Sequence, residues 1–468
     1  MSPRRVKRSI LVSLVCLSAL VLLTGYVTGE VLAGQQIQGD QSAEEAFRTG
    51  DRSPVAEPRE NITVVGTDSN AFVSNDGSGP RAQAELVAFA PDGSVYYYNN
   101  SHTRYWDVDP VPRTRATVEY LYADHLSEED CNASTVCTRN GIERVNLTTG
   151  EVTDVYARIT PDKHSTRWHD GDRIDEHRYL VADIDQDRVF IVNTTTELIE
   201  WSWDAQADYS TESGGPYPED WTHVNDVEYV EIDGRAVVMA SLRNQDSVVF
   251  IDLERGLMEE WTLGEDDDHE TLYEQHNPDY IPPEEGGPAV LVADSENSRV
   301  VEYQRENGEW VKTWEWSDPR MQWVRDADRL PNGHTLMTDS NGDRVLEVDR
   351  RGEVVWSADV GFPYEAERLG TGDESAGGPS AKSLDLPSER ADERSDVGAV
   401  GSAWLRIEAA VPPKVVNAIA YALPRWMGAL EIVALFTFVV GSATLAVTEW
   451  RRRKLAVAVR SPLQLRRK

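Results

Sequence analysis

The sequence predicts an all-β ectodomain, a single six-bladed β-propeller, flanked by an N-terminal and a C-terminal transmembrane helix. Short apolar-alternating runs separated by Gly, Asn and Asp turns fill the stretch from Leu86 to Trp356. Within it a signature for the third strand of a blade recurs at Arg104, Arg144, Arg188, Ser247, Arg299 and Arg344, with spacings of 40, 44, 59, 52 and 45 residues, the range of four-stranded repeats carrying loop insertions. Both ends of the 468-residue chain pair an apolar run with basic residues.

Arg4, Arg5, Lys7 and Arg8 precede residues 10–34, where Glu30 is the only charge. About 20 apolar residues suffice to cross a bilayer, so 1–34 reads as a tail and an anchoring helix. A cleaved signal peptide is the alternative, although no small-x-small site with a polar sequel precedes Ala33-Gly34. Residues 35–83 read as a stalk, from Gln36 to Ser53, followed by a first strand region. The propeller is expected over 84–365.

One blade is plainest in the last copy. Val324 to Leu330 leads through Pro331-Asn332-Gly333 to His334–Asp339, then through Ser340–Asp343 to Arg344–Asp349, and past Arg351-Gly352 to Glu353–Trp356. Four short strands joined by three tight turns make one propeller blade. Trp201, Trp203, Trp261, Trp314, Trp316 and Trp356 fall on outermost strands and are expected to pack between blades. Residues 366–410 are rich in Gly, Ser, Asp and Glu and read as a disordered tether. Residues 411–427 read as an interfacial segment, 428–450 as the second span, and 451–468 as a basic tail, which places both termini in the cytoplasm and the propeller outside.

Charge excludes one class of function. With 81 Asp plus Glu against 46 Lys plus Arg, the net charge of −35 offers no basic footprint for nucleic acid. Residues 30–426 alone carry about −45, which suits a halophile's surface, since the Debye length falls to about 3 Å in molar salt. A mesophilic acidic protein is the alternative. Three Cys without zinc spacing exclude a structural zinc domain. Cys131 and Cys137 are expected to form a disulfide on the outside, and Cys16 sits in the first apolar run. Asn61, Asn99, Asn132, Asn146 and Asn193 begin glycosylation sequons. The Asp183-Ile-Asp185-Gln-Asp187 run lacks the glycine and terminal glutamate of a calcium loop and reads as a solvated turn.

A propeller brings residues that recur at blade spacing together on its axis. His169, His223 and His276 lie 54 and 53 residues apart, each ahead of its blade's signature strand. In the final blade Trp323 takes the histidine place, followed by Arg325 and Asp326. Arg243 and Arg299 sit at strand ends of the histidine-bearing blades, and guanidinium forks suit tetrahedral oxyanions. Arg188 and Arg344 share the repeat place of Arg299, so a structural role for that arginine is equally consistent. Three readings of the histidines stay open: backbone-satisfying polar groups at a blade mouth, metal ligands, and a reactive imidazole cluster.

The ordered series Trp168-His-Asp, His223-Val-Asn-Asp with Ser241-Leu-Arg-Asn, Gln275-His-Asn-Pro-Asp with Val292-Ala-Asp-Ser-Glu-Asn-Ser-Arg, and Leu330-Pro-Asn-Gly-His-Thr-Leu-Met-Thr-Asp resembles the arylsulfate sulfotransferase (ASST) propellers over roughly residues 84–360. The resemblance implies transfer of a sulfuryl group from an aryl sulfate to a phenol-like acceptor through a sulfated histidine, with no nucleotide cofactor and no metal. It implies that His169, His276 and Arg299 are channel residues, with His223 in the intervening blade and Arg243 beside it. The departure is Trp323 in the last blade. Two further readings accompany it: a non-catalytic surface binding or scaffold propeller, and a metal-dependent hydrolase.

Overall fold

The computed structural model describes residues 3–27, 39–68, 84–131, 135–161, 167–318, 321–372, 377–390, 411–422, 427 and 429–453. Expectations for the remainder of the stalk and tether, for the Asn132 sequon and for the basic tail after 453 lie outside the described residues. The α-helices among the described residues are α1 (Pro3–Tyr26), α2 (Gly39–Thr49), α3 (Ala381–Leu384), α4 (Pro413–Ala422) and α5 (Ala429–Arg453). The chain divides into two compact units, residues 1–36, 398–404 and 423–468 in one, and residues 37–397 and 405–422 in the other.

The first unit holds α1 and α5. Residues 8–26 and 430–450 are long and apolar enough to cross a membrane. The helices pack antiparallel: Arg8 pairs with Glu449 at 2.7 Å near one end, and Gly25 abuts Glu431 near the other. Gly441 lets them approach, since a Cβ there would lie 2.7 Å from Val15 Cγ2.

The second unit is a ring of six antiparallel sheets. Blade 2 runs from Arg104–Pro110 to Glu151–Pro161, blade 3 from Trp168–Asp170 to Leu198–Asp204, and blade 4 from Val224–Ile232 to Leu263–Gly264. Blade 5 runs from His276–Ile281 to Glu309–Trp316, and blade 6 from Val324–Arg329 to Val354–Asp359. Blade 1 is composite: Thr63–Thr67, Leu86–Phe89 and Val95–Asn99 take Pro363–Arg368 as their innermost strand. The ring therefore closes by pairing between the two ends of the propeller sequence, Val65 opposite Ala366.

There is no single core. Six apolar clusters form, one between each pair of neighbouring blades, as where Leu180, Val189 and Ile191 of blade 3 meet Val224, Val238 and Val249 of blade 4. β-branched residues dominate because each blade is covered on both faces. Trp203, Trp314, Trp316 and Trp356 are buried, and Trp201 reaches from blade 3 to donate to Leu253 O at 3.1 Å. Cys131 and Cys137 are joined in a disulfide, their Cα atoms 6.0 Å apart, where the second strand of blade 2 turns into the third.

Three sequence expectations need correction. The first copy of the strand signature, at Arg104, is the innermost strand of blade 2 and not a third strand; the third strand of blade 1 is Val95–Asn99. Apolar alternation is the same in every strand of a blade, so the pattern cannot say which strand it marks. The stalk contains α2, whose Ala43 and Ala46 are buried against blades 1 and 6. Residues 377–390 of the expected tether are seated on blades 5 and 6: Ala381 N donates to Glu302 Oε1 at 2.7 Å, Ser317 N donates to Glu389 O at 2.9 Å, and Glu389 N donates to Glu315 O at 2.9 Å. Small polar residues contribute little apolar area, but here their backbone satisfies an exposed strand edge.

Candidate functional site

Every innermost strand carries one extra residue relative to its neighbour at the same level, a β-bulge in each of the six blades. A bulge redirects side chains, and six in register aim a matched set at the axis. An acid follows each bulge: Asp107, Asp170, Asp226, Asp279, Asp326 and Glu365. Counting back from these acids, the axis is lined in decks. Three residues before stand Arg104, Arg167, His223, His276, Trp323 and Phe362. One residue before stand Trp106, His169, Asn225, Pro278, Arg325 and Tyr364.

His223 and His276 thus share one deck, while His169 lies in the next and Arg167 is their true counterpart in blade 3. The backbone at His223, Trp323 and Phe362 is held at φ of 47°, 61° and 51°. Non-glycine residues adopt this region at a cost, which the sheets on either side must impose.

The decks above the acids form a buried chamber in which imidazoles and guanidinium groups mix. The His169 and His223 rings lie 5.5 Å apart, His169 contacts Trp106 at 4.1 Å, and His276 lies 6.1 Å from Tyr364. Arg325 lies over Trp323 at 4.2 Å and Tyr364 at 5.0 Å, and Arg167 over Trp106 at 5.4 Å. Arg104 and Arg325 share the carboxylate of Asp68. Burial, together with mutual repulsion, lowers Arg104 from its ordinary value, with Arg167 and Arg325 as its charged neighbours. Guanidinium stays protonated at neutral pH regardless. The donors Trp106 Nε1, Arg167 Nε and Arg325 Nε are buried without a hydrogen-bond partner. Buried donors without acceptors are costly, and a chamber holding several is suited to an oxyanion.

Each histidine is held differently. His276 Nδ1 lies 3.1 Å from Glu274 O and 2.7 Å from Ser295 Oγ. A carbonyl only accepts, so the proton is assigned to Nδ1 and Nε2 carries the lone pair. Nε2 is buried and has no partner. His223 Nδ1 meets Asp220 Oδ1 at 2.6 Å, and its Nε2 faces Arg243 Nη1 at 3.2 Å. His169 Nδ1 is bonded to the Tyr364 hydroxyl at 2.8 Å. Burial, then the positive charge of Arg243, lowers His223 to about 4. Burial pushes His169 and His276 well below the ordinary imidazole value, with His223 and Arg325 respectively as the next cause. All three are neutral imidazoles at pH 7, and neutral imidazole is the nucleophilic form.

Of the sequence candidates, His169, His223, His276 and Arg243 come together. Arg299 does not join them: its Nε bonds Asp294 Oδ2 at 2.6 Å and its Nη1 reaches Glu315 at 3.3 Å, off the axis. Arg188 with Asp183 and Arg344 with Asp339 repeat the same pair in blades 3 and 6, so Arg299 is a strand-end strut of the repeat. The 183–187 run is the neighbouring turn of one such strut. Sequence reading missed Arg104, Arg167, Arg325 as a chamber residue, Trp106 and Tyr364. Anchoring the alignment on the recurring acids, instead of the histidines, exposes them.

Two further features frame the chamber. Above it, α4 lies across the loops at one end of blades 4 to 6. Asn417 is buried and donates to Glu296 O at 3.2 Å and Oε2 at 2.9 Å, Lys414 pairs with Glu274, and Tyr421 packs 6.2 Å from both Trp323 and Phe362. Below it, five of the six ring acids are followed two residues on by a second acid, Asp109, Asp172, Glu228, Asp328 and Glu367, while Ile281 holds that place in blade 5. Burial, reinforced by neighbouring carboxylates, raises Asp107, Asp226 and Glu365 well above the usual carboxylate range and lifts Asp170 to about 8.

Solved structures with similarity to this chain include a periplasmic gluconolactonase from Pseudomonas aeruginosa (13% identity, TM-score 0.42, 67% of this chain and 99% of that one). Another is the virginiamycin B lyase of Staphylococcus aureus (9% identity, TM-score 0.33, 54% of this chain and 69% of that one). No curated protein matches the chain. Residues 152–361 match the family described as Arylsulfotransferase (ASST). The matched stretch is the one that carries Arg167, His169, His223, Arg243, His276 and Arg325, and with the six-bladed ring it supports an arylsulfotransferase-like propeller.

Proposed function

We propose that the propeller transfers a sulfuryl group from an aryl sulfate to a phenol-like acceptor, with His276 Nε2 as the nucleophile. One observation carries the reading: a neutral imidazole nitrogen, buried and without a partner, sits within the field of the Arg325 and Arg243 guanidinium groups. In the first step Nε2 attacks sulfur, the N–S bond forms and the S–O(aryl) bond breaks, releasing the phenolate. In the second, the acceptor oxygen attacks sulfur, the N–S bond breaks and the acceptor proton leaves to a base. His223, oriented by Asp220, is placed to give and take that proton. Arg243, Arg325 and Arg167 neutralise the sulfuryl oxygens, as guanidinium clamps do in phosphoryl transfer. Arg299 supports a blade and takes no part.

The chain is anchored by α1 and α5. Their antiparallel packing supports placing both termini on one side of the bilayer, which the flanking basic residues make the cytoplasmic one, with the propeller outside.

The full-length protein in detergent and high salt is given p-nitrophenyl sulfate and a phenol, then quenched for intact-mass measurement. The expected result is nitrophenolate release and a sulfuryl adduct, absent in His276→Ala and retained but turned over slowly in His223→Gln. Adduct formation in His276→Ala moves the nucleophile elsewhere. A second reading, a binding propeller, is favoured by Trp323 in the histidine place and by α4 over the chamber; ligand binding with no donor cleavage by the wild type selects it.

A further inference from the structure

We infer that the ring of acids beneath the chamber binds one hard divalent cation of the calcium type on the propeller axis. Oxygen atoms of Asp107, Asp170 and Glu365, from three consecutive blades, lie within 4.8 Å of one another. Carboxylate oxygens this close can converge on one ion, and calcium, which takes oxygen ligands at about 2.3–2.6 Å in a flexible geometry, suits such a site better than magnesium with its near-ideal octahedron. Each acid has one oxygen fixed by the next blade: Glu365 Oε1 accepts from Val108 N at 2.8 Å, Asp107 Oδ2 from Gly171 N at 3.2 Å, and Asp170 Oδ2 from Val227 N at 2.8 Å. Those backbone bonds fix one oxygen of each carboxylate in place.

An independent observation points to a ligand. Asp226, the ring acid of the next blade, is 6% exposed, and its Oδ2 is buried with no hydrogen-bond partner. The charges that act on it are carboxylates, Asp170 foremost, then Asp279, Glu228 and Asp326. No Lys, Arg or His occupies any of the six ring positions. A buried carboxylate oxygen with no hydrogen-bond partner, repelled by neighbouring carboxylates, is costly to leave without a counter-charge. The all-oxygen donor set excludes soft metals and selects a hard one.

The cation would not touch substrate. Its charge ties blades 1, 2, 3 and 4 at the axis and adds to the positive potential of the chamber. This site differs from the histidine-based metal reading of the sequence, because every donor is a carboxylate one deck below the imidazoles.

The test uses the full-length protein in detergent, stripped with EDTA. Terbium(III) is added as the calcium probe and its emission read on excitation of tryptophan, with Trp106 adjacent to Asp107 as the sensitiser. The expected result is saturable emission at one ion per chain, displaced by calcium and insensitive to molar monovalent salt. The double variant Asp107→Asn/Glu365→Gln weakens binding at least about tenfold, and the surface control Asp185→Asn/Asp349→Asn leaves it unchanged. Should the double variant not fold, the thermal midpoint of the wild type decides: calcium raises it over the EDTA-treated protein. Equal midpoints, or emission that the ring variant and the surface control alter alike, overturn the site. Neither readout depends on sulfuryl transfer, so the outcome stands apart from the catalytic reading.

Discussion

At His223 and His276 burial keeps the imidazole neutral, and this sets the pH range of the reaction. With His223 lowered to about 4 and His276 lower than an ordinary imidazole, kcat/KM stays flat from pH 7 downward and falls only as pH approaches about 4. An acid limb centred near 6.5, where a solvent-exposed histidine titrates, would contradict the buried chamber. Arg325→Ala, which removes a guanidinium aimed at the sulfuryl oxygens, lowers kcat about 100-fold.

His102 behaves oppositely. Burial favours its neutral form, but hydrogen bonds to Asp124 and Glu143, both at 3.0 Å, outweigh it and hold the imidazole at about 9. Its folded value lies above its unfolded one, so its contribution is full below about pH 6.5 and disappears as pH rises to about 9. The contribution is on the order of 3 kcal/mol; His102→Gln removes that slope from urea unfolding measured between these limits.

At the scale of the element, the bulged inner strand governs both what was legible in the sequence and what was not. Turn chemistry and apolar alternation expose the blades from 86 to 356, because they are local. The composite blade escapes such a reading: Thr63–Thr67 and Pro363–Arg368 are single short strands whose partner lies at the other end of the sequence. The same locality explains the site. Three histidines at similar spacing suggested a common place, yet the bulges put His169 one deck from His223 and His276, and Arg299 off the axis altogether. Arg329, wholly buried and 3.0 Å from the equally buried Glu302, links blades 6 and 5. Arg329→Met strands that carboxylate and costs about 3–5 kcal/mol, read by denaturant unfolding. For α4, Asn417→Asp sets a carboxylate against Glu296. Its expected effect is loss of amide-exchange protection over 413–422 and a higher kcat/KM for the aryl sulfate; unchanged protection would mean the helix is held by other contacts.

For the whole molecule the dominant fact is charge. A net −35 carried mainly by exposed carboxylates makes self-repulsion a global term, and added monovalent salt screens it. The thermal midpoint therefore rises with salt from about 0.1 M to molar concentrations; a midpoint independent of salt would show the surface charges to be far enough apart to ignore one another. Core packing is spread over six equivalent seams, so large-to-small substitutions within one seam are expected to cost similar amounts wherever they fall.

The composite blade has a consequence for biosynthesis. Thr63–Thr67 leaves the ribosome early and has no inner neighbour until Pro363–Arg368 is made, a wait of roughly 15 to 60 s at about 5–20 residues per second. During that interval blades 2 to 6 can form, but the ring stays open beside an unpaired strand edge that invites chaperones or a neighbouring nascent chain. The last strand to arrive also delivers Tyr364, which holds His169, and Glu365, which completes the acid ring. A chain terminated before residue 363 therefore lacks the strand that completes the chamber, so reactivity is withheld until translation has passed the point of closure.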